Sequence, residues 1–125
     1  MPNFTTAICT YNRSSLLSLC LEALMTCDGV SDVPILIIDN NSPDNTAVIV
    51  ENLKESHPNI ALVCETKQGL SHARNRAVEE CQTEYIVFLD DDAKPLPGWI
   101  RAIEQGLEKY SPDIFGGPYR PFYLE

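Results

Sequence analysis

Basic residues are scarce in this chain: nine lysines and arginines stand against 18 aspartates and glutamates, a formal net charge of −9. A general surface for nucleic acid or for an anionic membrane needs a basic patch, so neither is expected as a partner. One phosphorylated small molecule held by a cation remains compatible with that charge. Long apolar runs are missing too. None approaches membrane-spanning length, and the first candidate strand begins by Phe4, which leaves no room for a signal peptide; a cytoplasmic location is expected. Histidine is limited to His57 and His72. The first precedes a proline in a helix-ending loop and the second lies on an exposed helix face, so neither is placed for nucleophilic or general-base chemistry. The GxGxxG loop, the lysine-bearing Walker loop and the GxSxG elbow are absent. The five cysteines, Cys9, Cys20, Cys27, Cys64 and Cys81, are odd in number and lack CxxC spacing. Reduced, mostly buried thiols are expected, and a zinc site is not.

What is present is enough for one domain, taken as residues 1–125: 44% of the chain is hydrophobic and 22% charged. Four times a short apolar run leads into a polar loop. "FTTAIC" (4–9) leads into "TYNRS", "PILIID" (34–39) into "NNSPDN", "IALVC" (60–64) into "ETKQG", and "YIVFL" (85–89) into "DDDAKP". The last run reads as a strand buried on both faces. Helical stripes lie between the strands: Leu16-Leu17-Cys20-Leu21-Leu24-Met25, Val48-Ile49-Leu53, Leu70-Ala73-Ala77-Cys81 and Ile100-Ile103-Leu107-Tyr110. Asn12 or Ser14, Asp44 and Ser71 are the expected N-caps. Strands alternating with helices predict an α/β fold with a doubly wound, mostly parallel sheet and helices on both faces. Ligands in such sheets bind beyond the carboxyl ends of the strands, at the switch point of strand order. Tyr11 and Asn12, Asp39 to Ser42, and Asp90 to Asp92 are therefore predicted to share one rim. The tail "SPDIFGGPYRPFYLE" begins a fifth apolar run at Ile114-Phe115 and ends without a polar terminus, which gives the domain a truncated look.

Three adjacent carboxylates at a strand end are tolerable when a divalent cation neutralises them, and hard oxygen ligands suit Mg2+ or Mn2+. Along an extended chain Asp90 and Asp92 point one way and Asp91 the other. The competing reading is a solvated acidic turn. Cations are sought in "GLSHARNRAV", where Arg74 and Arg76 lie about 200° apart around a helix. Arg74 falls in the stripe facing the sheet and needs an anion, either the aspartate cluster or a bound phosphate; the competing reading is a structural ion pair to Glu65 or an aspartate. Arg76 shares a face with Glu79, Glu80 and His72. Asp39 ends a strand where a carboxylate can accept from a base or ribose, and Tyr11 can stack on a base or cover the sheet end. Asn41, Asp44 and Asn45 are read as turn and cap residues.

"AICTYNR", "IIDNNSPDNT", "GLSHARNRAV" and "YIVFLDDDAKP", in this order, resemble the amino-terminal half of glycosyltransferase family 2, from about Phe4 to Gly117. The resemblance implies the GT-A fold and a nucleotide-diphosphate-sugar donor, UDP- or dTDP-linked. It implies Thr10 and Tyr11 at the base, with Asn12 beside them, and Asp39 at the base or ribose. Arg74 falls near the diphosphate or the aspartates, Asp90 at the ribose with Asp91 next to it, and Asp92 on a Mg2+ or Mn2+ ion. An inverting attack by an acceptor hydroxyl follows, on a carbohydrate or other acceptor. Two departures stand out. Asp39-Asn40-Asn41-Ser42 replaces an Asp-Asp-Gly-Ser turn, and the family's catalytic base falls beyond Glu125, with Glu104, Glu108 and Glu125 matching no such motif. The chain alone is then expected to bind donor without transferring the sugar, and to self-associate through its apolar "FYLE" end. The alternative is a catalytically silent nucleotide-sugar-binding or assembly module.

Overall fold

The two most continuously apolar stretches form the centre of the sheet. β1 (Phe4–Thr10) and β2 (Ile35–Asp39) are buried almost throughout, because each has a strand on both sides and helices on both faces. The structure, a computed structural model, describes residues 4–117. α1 (Ser14–Met25) connects β1 to β2, and α2 (Thr46–Lys54) connects β2 to β3 (Ile60–Cys64). α3 (Leu70–Glu80) then leads to β4 (Tyr85–Phe88), and α4 (Trp99–Tyr110) follows. The strand order is β3-β2-β1-β4 and every pairing is parallel.

Alternation along the strands separates two cores. Phe4, Ile8, Ile35, Ile37 and Val87 face Leu17, Leu21 and Leu24 of α1, Val50 of α2, and Ile100 and Leu107 of α4. On the other face Ala7, Leu36 and Ile38 meet Ala73 and Ala77 of α3. Alanine at both contact positions lets that helix sit close to the sheet. A doubly wound parallel sheet with helices on both faces is thus observed.

Several local expectations shift. β4 is an edge strand of the described sheet, so Phe88 is 40% exposed and the run is not buried on both faces. In α2 the inward stripe is Thr46-Ile49-Val50-Leu53, and Val48 points out, because Thr46 rather than Val48 begins the i, i+3, i+4, i+7 series. Leu70 and Tyr110 end their helices exposed. Ile114 and Phe115 join no strand, and Ile114 is exposed. Residues 118–125, with "FYLE" and Glu125, lie outside the described residues.

Capping also differs from expectation. Arg13, Asn45 and Gly69 occupy the N-cap positions of α1, α2 and α3, without side-chain caps, and Ser71 lies inside α3. Asp44 instead serves two helices. Its Oδ2 accepts from the Ser14 N–H of α1 at 3.1 Å, and its Oδ1 accepts from the Thr46 N–H at 3.1 Å and the Thr46 hydroxyl at 2.5 Å. The Thr46 hydroxyl, more than any other group, holds the Asp44 carboxyl below its ordinary value of 3.8. Asp44→Ala should therefore destabilise the protein by about 1–2 kcal/mol near neutral pH, the usual loss for a helix cap. A carboxyl lowered by folding contributes fully above its ordinary value, and that contribution fades as pH falls through the lowered one. The gap between wild type and variant in urea melts should accordingly narrow below about pH 4.

Candidate functional site

The register of β4 creates the site. β4 pairs with β1 only from Phe4 to Ala7, with a last bond from the Leu89 N–H to the Ala7 carbonyl. β1 runs on for three more residues to Thr10, where it lies level with Asp39 of β2. At about 3.3 Å per residue this leaves a step of roughly 10 Å between the carboxyl ends of β4 and β1. β1 and β4 also flank the point where strand order reverses, because β2 and β3 lie on the other side of β1. A cavity of about 510 Å³ occupies the step. Its walls are Cys9 to Tyr11 and Arg13 from the end of β1, Asn40, Leu70, Ala73 and Arg74 from α3, and Phe88 to Asp92 from the end of β4.

The acidic triplet turns into this step. The Ala93 N–H donates to the Asp90 carbonyl at 3.0 Å, and the Cys20 thiol reaches the same carbonyl at 3.5 Å. Asp90 and Asp92 are exposed while Asp91 is buried, so the expected alternation of direction holds through the turn. The Thr10 hydroxyl donates to Asp91 Oδ2 at 2.9 Å, which spends that hydroxyl inside the fold. Arg13 spans two carboxylates: Nη1 lies 3.2 Å from Asp91 Oδ1 and Nη2 lies 3.0 Å from Asp92 Oδ2. Burial pushes the Asp91 carboxyl up, while the Thr10 hydroxyl and Arg13 oppose that shift and the flanking aspartates add to it.

The two arginines of α3 sort differently from the stripe argument. Ala73 and Ala77 face the sheet, and Arg74 is exposed at the cavity wall with its guanidinium carbon 5.9 Å from the Phe88 ring centroid. Among the described residues no carboxylate forms an ion pair with Arg74. The pair to Glu65 belongs to Arg76, at 3.6 Å, alongside a 3.0 Å contact with Glu80 one turn on. Tyr11 is 44% exposed at the rim. Asp39 and Asn12 share that rim without lining the cavity. Asp39 is buried and accepts from the Ser42 N–H at 2.9 Å, and Asn12, at φ 52°, donates its N–H to the Ser42 hydroxyl at 2.9 Å.

Arg13, and the anchoring role of the rim residue Asn40, escape the sequence reading. Arg13 stands in "TYNR" on the same rim as the aspartates, and its position was the available signal. Asn40 had none, because its partners are main-chain groups 25–29 residues away. Its Nδ2 donates to the Glu65 and Lys67 carbonyls at 2.9 and 2.7 Å, and its Oδ1 accepts from the Gly69 N–H at 2.9 Å. Gly69 stands at φ 131°, ψ 140°, a conformation reserved for glycine, and from it α3 starts toward the cavity. Asn40 therefore sets where Leu70, Ala73 and Arg74 stand.

The thiols are free. Burial raises Cys9 to about 11 and Cys20 to about 12, which keeps both protonated near neutrality and unfit as nucleophiles. Cys20 and Cys27 are buried, whereas Cys64 on edge strand β3 is exposed, against the expectation of mostly buried thiols. No three acidic, histidine or cysteine side chains converge into a metal cage among the described residues. Asp92 is nevertheless exposed at the cavity, which fits a hard cation that takes one carboxylate and draws its remaining ligands from phosphate and water. No described helix is long and apolar enough to cross a membrane.

The family model for "Glycosyl transferase family 2" matches residues 5–125. A GalNAc(5)-diNAcBac-PP-undecaprenol beta-1,3-glucosyltransferase of Campylobacter jejuni is 29% identical over 93% of this chain and 38% of its own length. Among solved structures, the mannosyltransferase PcManGT of Pyrobaculum calidifontis, in complex with GDP-Man and Mn2+, superposes with a TM-score of 0.70 and 32% identity. That match covers 77% of this chain and 29% of the mannosyltransferase. TarS of S. aureus in complex with UDP-GlcNAc gives a TM-score of 0.77 at 19% identity, over 94% of this chain and 37% of that one, a likeness of fold. The chain thus spans well under half the length of these relatives.

Proposed function

We propose, from the premise that this chain belongs to glycosyl transferase family 2, that its rim cavity binds the diphosphate of a nucleotide-sugar donor. The whole of residues 1–125 then acts as a single donor-binding domain of an enzyme that transfers the sugar to an acceptor hydroxyl. One observation carries the reading: a cavity at the strand-order switch point brings Arg13, Arg74 and three aspartates within one wall. The Mn2+ and GDP-Man of the Pyrobaculum complex support it.

In this reading Arg74 offers its guanidinium to a donor phosphate, with Phe88 supporting its planar face. Tyr11 covers the base, and the second carboxylate oxygen of Asp39 accepts an N–H from the base or a hydroxyl from the ribose. Asp90 holds the ribose. Asp92 holds Mg2+ or Mn2+, which when bound offsets the negative charge of the departing nucleotide diphosphate. Transfer is by direct displacement with inversion, and proton removal from the acceptor is assigned to a carboxylate beyond Glu125. Glu104 is engaged by Arg101 at 2.9 Å and is not on the cavity wall. We place the protein on the cytoplasmic side, where nucleotide sugars are supplied, and include self-association in the proposal.

Calorimetry with UDP, dTDP, GDP and ADP in the presence of Mn2+ tests the site. UDP and dTDP should bind more tightly than either purine nucleotide, and nucleotide release from matched sugar donors should not respond to acceptor sugars. Tightest binding of GDP would replace the pyrimidine assignment and leave the diphosphate site standing. Absence of binding by all four would remove the donor site itself, and acceptor-stimulated release would return the catalytic base to residues 1–125. Donor binding without transfer by the full-length protein would favour a silent binding module.

A further inference from the structure

We infer that Arg13 is a displaceable counter-ion, occupying with its own charge the place that a divalent cation takes when donor arrives. The inference rests on the donor-site reading above and gives Arg13, which lines that cavity, a role the reading leaves open. Its basis is the fork of one guanidinium across two carboxylates, Asp91 at 3.2 Å and Asp92 at 3.0 Å. These partners lie 78 and 79 residues along the chain and on a different loop, so neither contact is a by-product of helix geometry.

The surroundings favour exchange. The Arg13 side chain is 45% exposed and the Asp92 side chain 49%, so their separation moves no buried group. Asp91 differs, with its side chain only 7% exposed. The Thr10 hydroxyl holds it in position whether or not Arg13 is present. A buried carboxylate that loses its cation is left with an uncompensated charge unless another cation or a proton takes its place. With Asp91 still ionised, Arg13 can therefore leave the aspartates readily only when a second cation replaces it, and that cation must bind where Arg13 now stands. A diphosphate at the same wall supplies an anion for the released guanidinium, in the bidentate geometry that phosphate and guanidinium share.

Two consequences follow from linkage. Arg13 opposes metal in the absence of nucleotide, because the two compete for Asp92. It also couples metal to nucleotide, because each ligand favours the same released state of the guanidinium, and the coupling must be reciprocal. The site is thereby kept from filling with metal alone and becomes receptive when both ligands are present.

The test uses MnCl2 alone, followed by electron paramagnetic resonance of free Mn2+, together with calorimetry of UDP with and without MnCl2. Wild type, Arg13→Gln and Arg13→Lys are compared, with thermal melts to verify folding. Arg13→Gln should bind Mn2+ alone about fivefold more tightly, bind UDP alone more weakly, and show a smaller Mn2+-dependent gain in UDP affinity, changes at the lower end of usual couplings. Arg13→Lys keeps one charge without the fork and should fall between. A purely structural arginine would weaken both ligands together with the melting temperature. Unchanged or weaker Mn2+ binding in both variants overturns the inference, whichever of them folds. The Mn2+ arm needs no nucleotide, so a wild type that ignores UDP would count against the donor site, while the metal titrations still decide the role of Arg13.

Discussion

Asp92→Asn should lower the Mn2+-dependent affinity for UDP on the order of a hundredfold, the upper end of what even outer partners of a bound metal are worth. The reason is the division of labour within the triplet. Asp91 faces Thr10 and Arg13, so Asp92 is the carboxylate that combines exposure with a place on the cavity wall beside Arg13. Asparagine preserves shape and removes the charge that a hard cation requires. Stability should barely change, because the lost ion pair to Arg13 is an exposed one, worth about 0–1 kcal/mol. The measurement is calorimetry of UDP at several Mn2+ concentrations, paired with thermal melts. Unaltered metal dependence in the variant would identify the triplet as a solvated acidic turn.

Asn40→Ala should act in the opposite sense, costing stability first and binding as a consequence. Three side-chain hydrogen bonds disappear, to Glu65, Lys67 and Gly69, at a residue only 4% exposed. At about 1 kcal/mol per bond the loss is about 3 kcal/mol, or roughly 10 °C in Tm for a domain of this size. Asn40→Asp should be no rescue, because a carboxylate can accept from the Gly69 N–H but turns a second oxygen toward two carbonyls. Since this side chain anchors the start of α3, UDP affinity should fall with it through displacement of Arg74. Chemical denaturation of both variants checks the first effect, and calorimetry below the melting range checks the second. An alanine variant as stable as wild type would mean that the 65–69 loop is held by other contacts.

Much of the fold was legible because its signals are local. Each of the four strands is a short apolar run that ends in polar residues, and the structure places each within one residue of that run. Alternation of strand and helix implied parallel pairing, and parallel pairing implied one shared rim. Tyr11, Arg74 and Asp90 to Asp92 do meet there, in one cavity wall. The errors share a cause as well. "YIVFL" has the composition of a central strand, but position in the sheet depends on which strands pair, and β4 falls at the edge of the described sheet. Arg74 falls in the stripe by spacing, yet it stands exposed and the ion pair with Glu65 goes to Arg76, because the position of Glu65 follows from the loop that Asn40 holds.

The sequence by itself determined the pattern of elements, the parallel sense of the sheet and the set of polar segments delivered to its carboxyl edge. These follow from periodicity and chain connectivity, which act over a few residues or forbid all but one sense of connection. The tertiary structure decided the rest: the step between β4 and β1 that opens the cavity, the burial of Asp91 against Thr10, the fork of Arg13 across two aspartates and the anchoring of α3 by Asn40. Register, burial and ion pairing join residues 25 to 81 positions apart. Their energies depend on distance and local dielectric in the folded chain, quantities that no short stretch of sequence carries.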